Sequence, residues 1–565
     1  MKEFLQRCKK YFVYCAFLSC FINLLGLTFT FYMYSIYDLI CTSFSESSLH
    51  TITIIALYCL IMLGLFLYVR HRVLSVIGFR LDKTLSSSVL KNTIYLVSGP
   101  RKDLYRRSIS DLWILRDYFS HQGMFAIFDL PWAPFYLILV FCIHKVLGIA
   151  TMLAALIILF LSVLQEKLCQ DLIISANKLN YRNLSFEDSI YRNSEAILSM
   201  SMIKPVISKW KDKDNEVIVR QTTASTRAGI IHSMLTGLQV LLPVAVFGLG
   251  AYFVIKREIS AGFIIVASIL EGQATRPLIR LMYSYKQTIS AWEAYNRLNR
   301  FLFFWEKSML AKKKRSLILP KPNGNLTVEN VYFALFGKII LKNITFSLRK
   351  GEFLGIIGPT GAGKTTLAKL LCGIWQPLFG SIRLDGYDIS KWDKESLGKY
   401  IGYLPQEVIL FPGTVMENIT GFREIDEKRI KQIVEELDLK FIEELPNSYN
   451  TFIDKENTNL LSGGQKQKIG FVRAIYNNPA LLILDEPNSN LDEISEQRLI
   501  SYLMKLKQKR ELTCIIISHT PKLLSIVDKI LVLRNGMKVD FGPQDLVLKK
   551  LLSNKAFVQK RIAHA

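Results

Sequence analysis

No CxxC pair occurs anywhere in the 565 residues, although there are nine cysteines. Cys8, Cys15, Cys20, Cys41, Cys59, Cys142, Cys169, Cys372 and Cys514 mostly fall in apolar runs. That placement excludes a zinc ribbon or a disulfide framework and reads them as small buried hydrophobes. Acidic residues are the scarcer charge, 47 Asp and Glu against 71 Lys and Arg, for a formal net charge of +24. The basic surplus is spread over loops and helix faces with no aromatic-interleaved patch, so no nucleic acid is expected as a partner. A cleavable signal peptide is also missing: the first apolar run has no small-residue cleavage end and is too long for a signal core, so it is expected to stay in the membrane.

Charge itself is absent from four long stretches. Tyr11–Tyr37, Thr51–Val69, Val146–Gln165 and Ala228–Ile255 contain no Asp, Glu, Lys or Arg, and a spanning helix needs about 20 mostly apolar residues because lipid offers no partner to exposed backbone groups. Two weaker stretches join them: Leu130–His144, short and carrying Pro131 and Pro134, and Ile259–Leu270, which stops at Glu271. Residues 1–310 therefore read as a membrane domain with six spans at about 11–37, 51–69, 124–144, 146–165, 228–255 and 259–280.

Loop charge sets the orientation, since Lys and Arg accumulate on the cytoplasmic side. The N-terminus carries Lys2, Arg7, Lys9 and Lys10, whereas Cys41–His50 has no basic residue but histidine. The connection Arg70–His121 holds Arg70, Arg72, Arg80, Lys83, Lys91, Arg101, Lys102, Arg106, Arg107 and Arg116, and Glu166–Arg227 is comparably basic. The first loop is thus expected outside. The two long excursions are expected in the cytoplasm as helical extensions of the spans, within reach of the soluble domain.

After Arg300 the apolar runs end. Residues 311–325, with Ala311–Arg315 (AKKKR), Pro320, Pro322 and Gly324, read as a linker, and residues 326–565 as one α/β domain. Its first motif is GPTGAGKT, followed by Thr366: Gly358, Pro359, Thr360, Gly361, Ala362, Gly363, Lys364 and Thr365 come directly after the apolar run Phe353–Ile357. Glycines let backbone N–H groups close around phosphate oxygens, Lys364 reaches the terminal phosphates, Thr365 can ligate Mg²⁺, and the following helix adds its positive end. A second apolar strand, Leu481–Leu484, ends in Asp485 and Glu486. This pair suits a Walker B role, Asp485 holding Mg²⁺ through water and Glu486 polarising the attacking water.

Between the two lies Leu461-Ser462-Gly463-Gly464-Gln465. On this LSGGQ run the sequence resembles the ABC ATPase family, and the other elements of that family follow in order. Gln406 in YLPQ matches the Q-loop glutamine, implied both in catalysis and as a Mg²⁺ ligand. Ser489-Asn490-Leu491-Asp492 matches the D-loop, and His519 in ISHT the switch histidine. The resemblance implies ATP and Mg²⁺ as cofactors and a head-to-tail homodimer. In it Ser462, Gly463, Gly464 and Gln465 of one subunit, with Asp492, complete the ATP site on the other's phosphate loop. It also implies an aromatic residue stacked on adenine, for which Tyr332, Phe333 and Phe336 compete. Thr451–Leu460 (TFIDKENTNL) departs from the pattern by lacking the glycines common before LSGGQ.

Membrane helices ahead of one ATPase domain resemble an exporter half-transporter. FDLPWAPFYL (Phe128–Leu137), YRNSEAILSMSM (Tyr191–Met202), GSIRLDGYDISKWD (Gly380–Asp393), GYLPQEVILFPGTVMENI (Gly402–Ile419) and DEPNSNLD (Asp485–Asp492) are similar to the type I secretion permease/ATPases. The branch resembled exports proteases and lacks an N-terminal peptidase-like domain. That implies a bacterial inner-membrane location, a periplasmic adaptor, an outer-membrane channel, and an unfolded protein cargo with a C-terminal signal. A lipid or drug exporter of the same architecture, or an ATP-gated channel or regulator, are the alternative readings. Asp129, opening the third span beside two prolines, reads either as a pathway acid paired with Arg or as a residue at headgroup level.

Overall fold

A computed structural model describes residues 2–99, 107–119, 122–313, 319–454 and 460–550. Arg101, Lys102, Arg106 and His121 of the first excursion, residues 314–318 of the linker and residues 455–459 before LSGGQ lie outside the described residues. The chain divides into one unit of Met1–Ile94 with Leu104–Trp305 and a second of Tyr95–Asp103 with Glu306–Ala565.

The first unit is helical. Its main members are α1 (Lys2–Gly26), α2 (Glu46–Val97), α3 (Ala133–Ile143), α4 (Lys145–Arg192), α5 (Ile203–Ile255), α6 (Ala261–Tyr283) and α7 (Tyr285–Lys313). At about 1.5 Å per residue α2, α4 and α5 run roughly 70–80 Å, more than twice a bilayer's hydrocarbon core. Much of each long basic excursion therefore continues a long apolar helix. Helix α7 carries regular structure to Lys313, into the expected linker.

Among the described residues five helical segments are long and apolar enough to cross a membrane: Gln6–Ser43, Glu46–Val97, Met124–Ile143, Lys145–Arg192 and Ile203–Ile255. The sixth expected span falls on α6, which does not reach that standard because Glu271, Arg276 and Arg280 interrupt it. In the third span Leu130–Trp132 forms one 3₁₀ turn with Pro131 in its first turn, between helices Gln122–Asp129 and α3. Proline removes a backbone donor and crowds the preceding turn, which accounts for the break.

Tyr136, Val140, Leu147, Val246, Val266 and Leu270 pack where α3, α4, α5 and α6 meet. Outward, Ile54, Ile55, Leu57, Tyr58 and Ile61 of α2 stay exposed, an apolar surface suited to lipid. All nine cysteines are unpaired, and Cys41 and Cys142 are exposed instead of buried, because they lie on helix faces no described neighbour covers.

The second unit is built on a ten-stranded sheet. Strands β1 (Leu326–Leu335), β2 (Lys338–Leu348), β4 (Phe379–Leu384) and β5 (Tyr387–Asp388) form an antiparallel wing. Strands β3 (Phe353–Ile357), β6 (Ile401–Leu404), β7 (Leu481–Asp485), β8 (Thr513–Ile517) and β9 (Lys529–Arg534) are parallel, and β10 (Met537–Pro543) returns antiparallel to β9. The spatial order is β5-β4-β1-β2-β10-β9-β3-β8-β7-β6. The parallel strands are covered on both faces: Leu482, Leu484, Cys514 and Ile516 enter one core, and Leu481, Ile483, Ile515 and Ile517 the other. Their unbroken apolar runs are the expected signature of such strands. Within this unit Trp375 Nε1 donates to the Ser98 carbonyl at 2.8 Å.

Candidate ATP site

Parallel register carries the functional residues to one edge. Leu404 of β6 pairs with Leu484, Asp485 of β7 with Ile517, and Ile517 of β8 with Ile356 of β3. Four neighbouring strands thus finish together, and the residues just beyond them are Gln406, Glu486, His519 and the loop from Gly358. The carboxyl ends of parallel strands are where open α/β sheets bind ligands.

The loop after β3 leads into helix α8 (Lys364–Leu371). Gly363 caps it at φ +96°, and a Cβ there would sit 2.7 Å from the Leu341 side chain, so glycine is required on both counts. Lys364 is largely buried, and its Nζ donates to the carbonyls of Gly358 at 2.7 Å and Pro359 at 3.2 Å. The ammonium is therefore held over the loop that would surround a phosphate. Gly358, Pro359, Thr360, Gly361, Ala362, Thr365 and Thr366 all fall on this loop and the first turn of α8, the expected cradle.

Asp485 is buried, and its Oδ2 has no hydrogen-bond partner among the described residues. Burial pushes its carboxyl above the usual range, while the Thr365 hydroxyl, bonded to it, pulls the other way. A buried carboxylate oxygen without a partner, beside a hydroxyl and an ammonium, fits a divalent cation held by Thr365 and Asp485. Glu486 stands at φ +51°, an unfavourable conformation for a residue with a Cβ. Its amide donates to the Ile517 carbonyl at 2.9 Å, its carbonyl accepts from Gln467 Nε2 at 3.3 Å, and its Oε2 accepts from Gln406 Nε2 at 3.0 Å. Backbone and side chain are pinned, so the carboxylate is fixed in place before any substrate arrives. His519 is exposed two residues past β8.

The signature residues form a different local structure. Ser462 caps helix α9 (Gly463–Ile475): its Oγ accepts from Gln465 N at 3.2 Å, and Gln465 Oε1 accepts from Ser462 N at 2.8 Å. This reciprocal pair leaves the other first-turn N–H groups facing outward as an anion site. A Cβ at Gly464 would come 2.5 Å from the Asn490 carbonyl, so the D-loop lies directly against the signature turn. Asp492 stands at the N-terminal boundary of helix α10 (Glu493–Lys509), and the Ser495 hydroxyl holds its carboxyl below the usual range. Among the described residues no hydrogen bond joins Ser462–Gln465 to the phosphate loop of the same chain.

The aromatic candidates separate. Phe333 is inside the core, stacked on Trp375 at 5.1 Å, and so is not available to a base. Tyr332 meets Phe379 edge-on, and Phe336 stands 84 % exposed at the β1–β2 turn. Sequence reasoning missed Gln467 and Asn488. Gln467 holds the Glu486 carbonyl, and Asn488 Nδ2 donates to Glu496 at 2.8 Å and Thr520 at 2.7 Å, tying the D-loop to the segment after His519. The one signal for Gln467 was an amide on the face of α9 that also carries Phe471; Asn488 gave none.

Comparison with known proteins agrees with this geometry. The ABC transporter family profile matches residues 341–489. The type I secretion system ATP-binding protein PrsD of Rhizobium meliloti (strain 1021) is 32 % identical over 556 residues, covering 97 % of this chain and 94 % of that one. The alpha-hemolysin translocation ATP-binding protein HlyB of Escherichia coli O157:H7 is 29 % identical, covering 95 % and 76 %. A bacterial Atm1-family ABC exporter solved with ATP bound shares the fold at TM-score 0.80 and 21 % identity, over 98 % of both chains. The chain belongs to the type I secretion family of ABC transporters, membrane proteins whose ATPase domain drives transport.

Proposed function

We propose that two copies of this chain form the inner-membrane permease of a bacterial type I secretion system, using ATP to export unfolded protein that carries a C-terminal signal. The observation that carries this reading is the match to PrsD along nearly the whole of both chains, joined to a complete set of nucleotide-site residues. In this reading residues 1–310 are the membrane domain with six spans, α6 being the sixth, and residues 326–565 the cytoplasmic ATPase. The charged positions on α6 are then met by protein, water or polar groups in place of lipid tails.

Lys364 and the loop Gly358–Thr366 hold the nucleotide phosphates, and Thr365, Gln406 and Asp485 hold Mg²⁺, which would neutralise phosphate charge. Glu486 accepts the proton of the attacking water, Gln406 orients that carboxylate, and His519 steadies the terminal phosphate. Ser462, Gly463, Gly464 and Gln465, with Asp492, close the site of the other subunit. A periplasmic adaptor and an outer-membrane channel complete the route. To test the reading, Glu486→Gln transporter is crosslinked in cells and its partners identified. Recovery of an adaptor and a secreted protein is expected; recovery of neither, with strong ATPase stimulation of the purified protein by lipids or drugs, favours the lipid or drug exporter.

The charge argument fixes all loops together. In a cysteine-free background, a cysteine at exposed Ser47 is expected to react with a membrane-impermeant maleimide added outside, and one at exposed Ser199 only after permeabilisation. Reversed labelling inverts the topology.

A further inference from the structure

Arg70 directly follows the uncharged stretch Thr51–Val69, 19 residues that rise about 28 Å at 1.5 Å each. With the hydrocarbon core at about 30 Å, Arg70 stands at headgroup depth, on the cytoplasmic side in the topology proposed above. It is nonetheless buried, its side chain 4 % exposed. Nη1 donates to Asp129 Oδ1 at 2.5 Å and to Ser19 Oγ at 2.8 Å, Nη2 to Asp129 Oδ2 at 3.4 Å, and the guanidinium lies 5.2 Å from the Phe125 ring centre. Nε has no hydrogen-bond partner among the described residues. Arg280 of α6 reaches the same Asp129 only loosely, at 3.7 Å, with its side chain 43 % exposed.

Two guanidinium groups thus share one carboxylate, and the cluster keeps a positive surplus. Such a surplus among membrane helices is costly unless water or an anion meets it. Beside it is a cavity of about 360 Å³ lined by Leu67, Arg70, His71, Phe125 and Arg280. At about 30 Å³ per water it has room for roughly a dozen, ample for a phosphate group. One wall, Leu67, is itself exposed, next to exposed Leu65 and Tyr68 on α2. Cation donors at headgroup depth beside a bare apolar helix face are the two halves of a phospholipid site, since basic pockets between spanning helices take phosphate headgroups.

We propose that this cavity binds the headgroup of an anionic phospholipid, its phosphate on Arg280 and His71 beside the buried Arg70 guanidinium and its acyl chains along the exposed face of α2. Asp129 keeps the Arg70 guanidinium clamped, and Arg280, the loosely held partner, turns to the phosphate. Neither the ATPase chemistry nor the cargo reading requires such a site.

The test is native mass spectrometry of the purified full-length transporter with phosphatidylglycerol or phosphatidylcholine added. The wild type is expected to retain phosphatidylglycerol in preference to phosphatidylcholine. Arg280→Gln should weaken that retention about fivefold or more, in line with the loss of one charge at the membrane surface. Arg383→Gln, which removes the same charge from an exposed position in the ATPase domain, should leave it unchanged. Because Arg70→Gln alone strands a buried carboxylate, the paired Arg70→Gln/Asp129→Asn variant is the second probe, and it too should lose the preference. Equal retention of the two lipids, or undiminished phosphatidylglycerol on Arg280→Gln, overturns the proposal. So does a photo-crosslinker at His71 that captures secreted protein and no lipid.

Discussion

Glu486→Gln is expected to bind ATP nearly as well as the wild type while its turnover falls by about 10²–10⁴-fold, the usual contribution of a positioned general base. The expectation follows from how Glu486 is held. Its backbone is fixed between β8 and Gln467, and its carboxylate accepts from Gln406, so the group is oriented by a neutral donor. Glutamine fills the same space without a basic oxygen. Binding should survive because the phosphate grip lies with Lys364 and the loop amides, and closed ATPase dimers should accumulate. Phosphate release at saturating Mg-ATP, with nucleotide-dependent crosslinking between subunits, measures both. Turnover within tenfold of wild type would remove Glu486 from that role. Lys364→Ala, by contrast, should lose nucleotide binding itself.

The second large effect concerns sharing of the site. Ser462→Arg places a bulky cation on the α9 turn, where its partner's ATP would rest, and Lys364→Ala removes the phosphate ammonium. Each variant alone should be nearly inactive as a homodimer. Mixed, a heterodimer keeps one unaltered pair, the phosphate loop of the Ser462→Arg subunit with the signature of the Lys364→Ala subunit. Random pairing in a two-fold assembly then restores about a quarter of the wild-type number of intact sites. Measurable hydrolysis by the mixture is the expected result. Equal loss in all three preparations would place each complete site within one subunit, against the absence of any described hydrogen bond between Ser462–Gln465 and the phosphate loop of their own chain.

What the sequence made legible was whatever depends on local spacing. The four long uncharged runs and the short stretch Leu130–His144 marked the five apolar helices, and the motifs after Ile357 and Leu484 proved to sit at strand ends, because apolar strand followed by glycine or acid is a local pattern. What depends on distant pairing was not legible. Gln406 and Glu486 lie 80 residues apart and meet only through the register of β6 on β7. Arg70 and Asp129, 59 apart, meet through helix packing. Asp129 alone left its pairing with an arginine open, and the structure shows that pair with Arg70. The choice among three aromatics was likewise open, and the stacking of Phe333 on Trp375 in the core removes one of them. Helix α6 remained ambiguous for a physical reason: a path through protein needs charge, and the same charge removes the apolar signal by which a span is recognised.

The central claim, ATP-driven export of protein, is tested most directly by the proteins found outside the cell. Secreted protein is compared between cells carrying the wild-type transporter, cells carrying Glu486→Gln, and cells without the transporter, and the C-terminal tail is then deleted from any protein that changes. The account predicts at least one protein that leaves only with the wild type and is retained when its tail is removed. An unchanged set of secreted proteins across all three strains would contradict it.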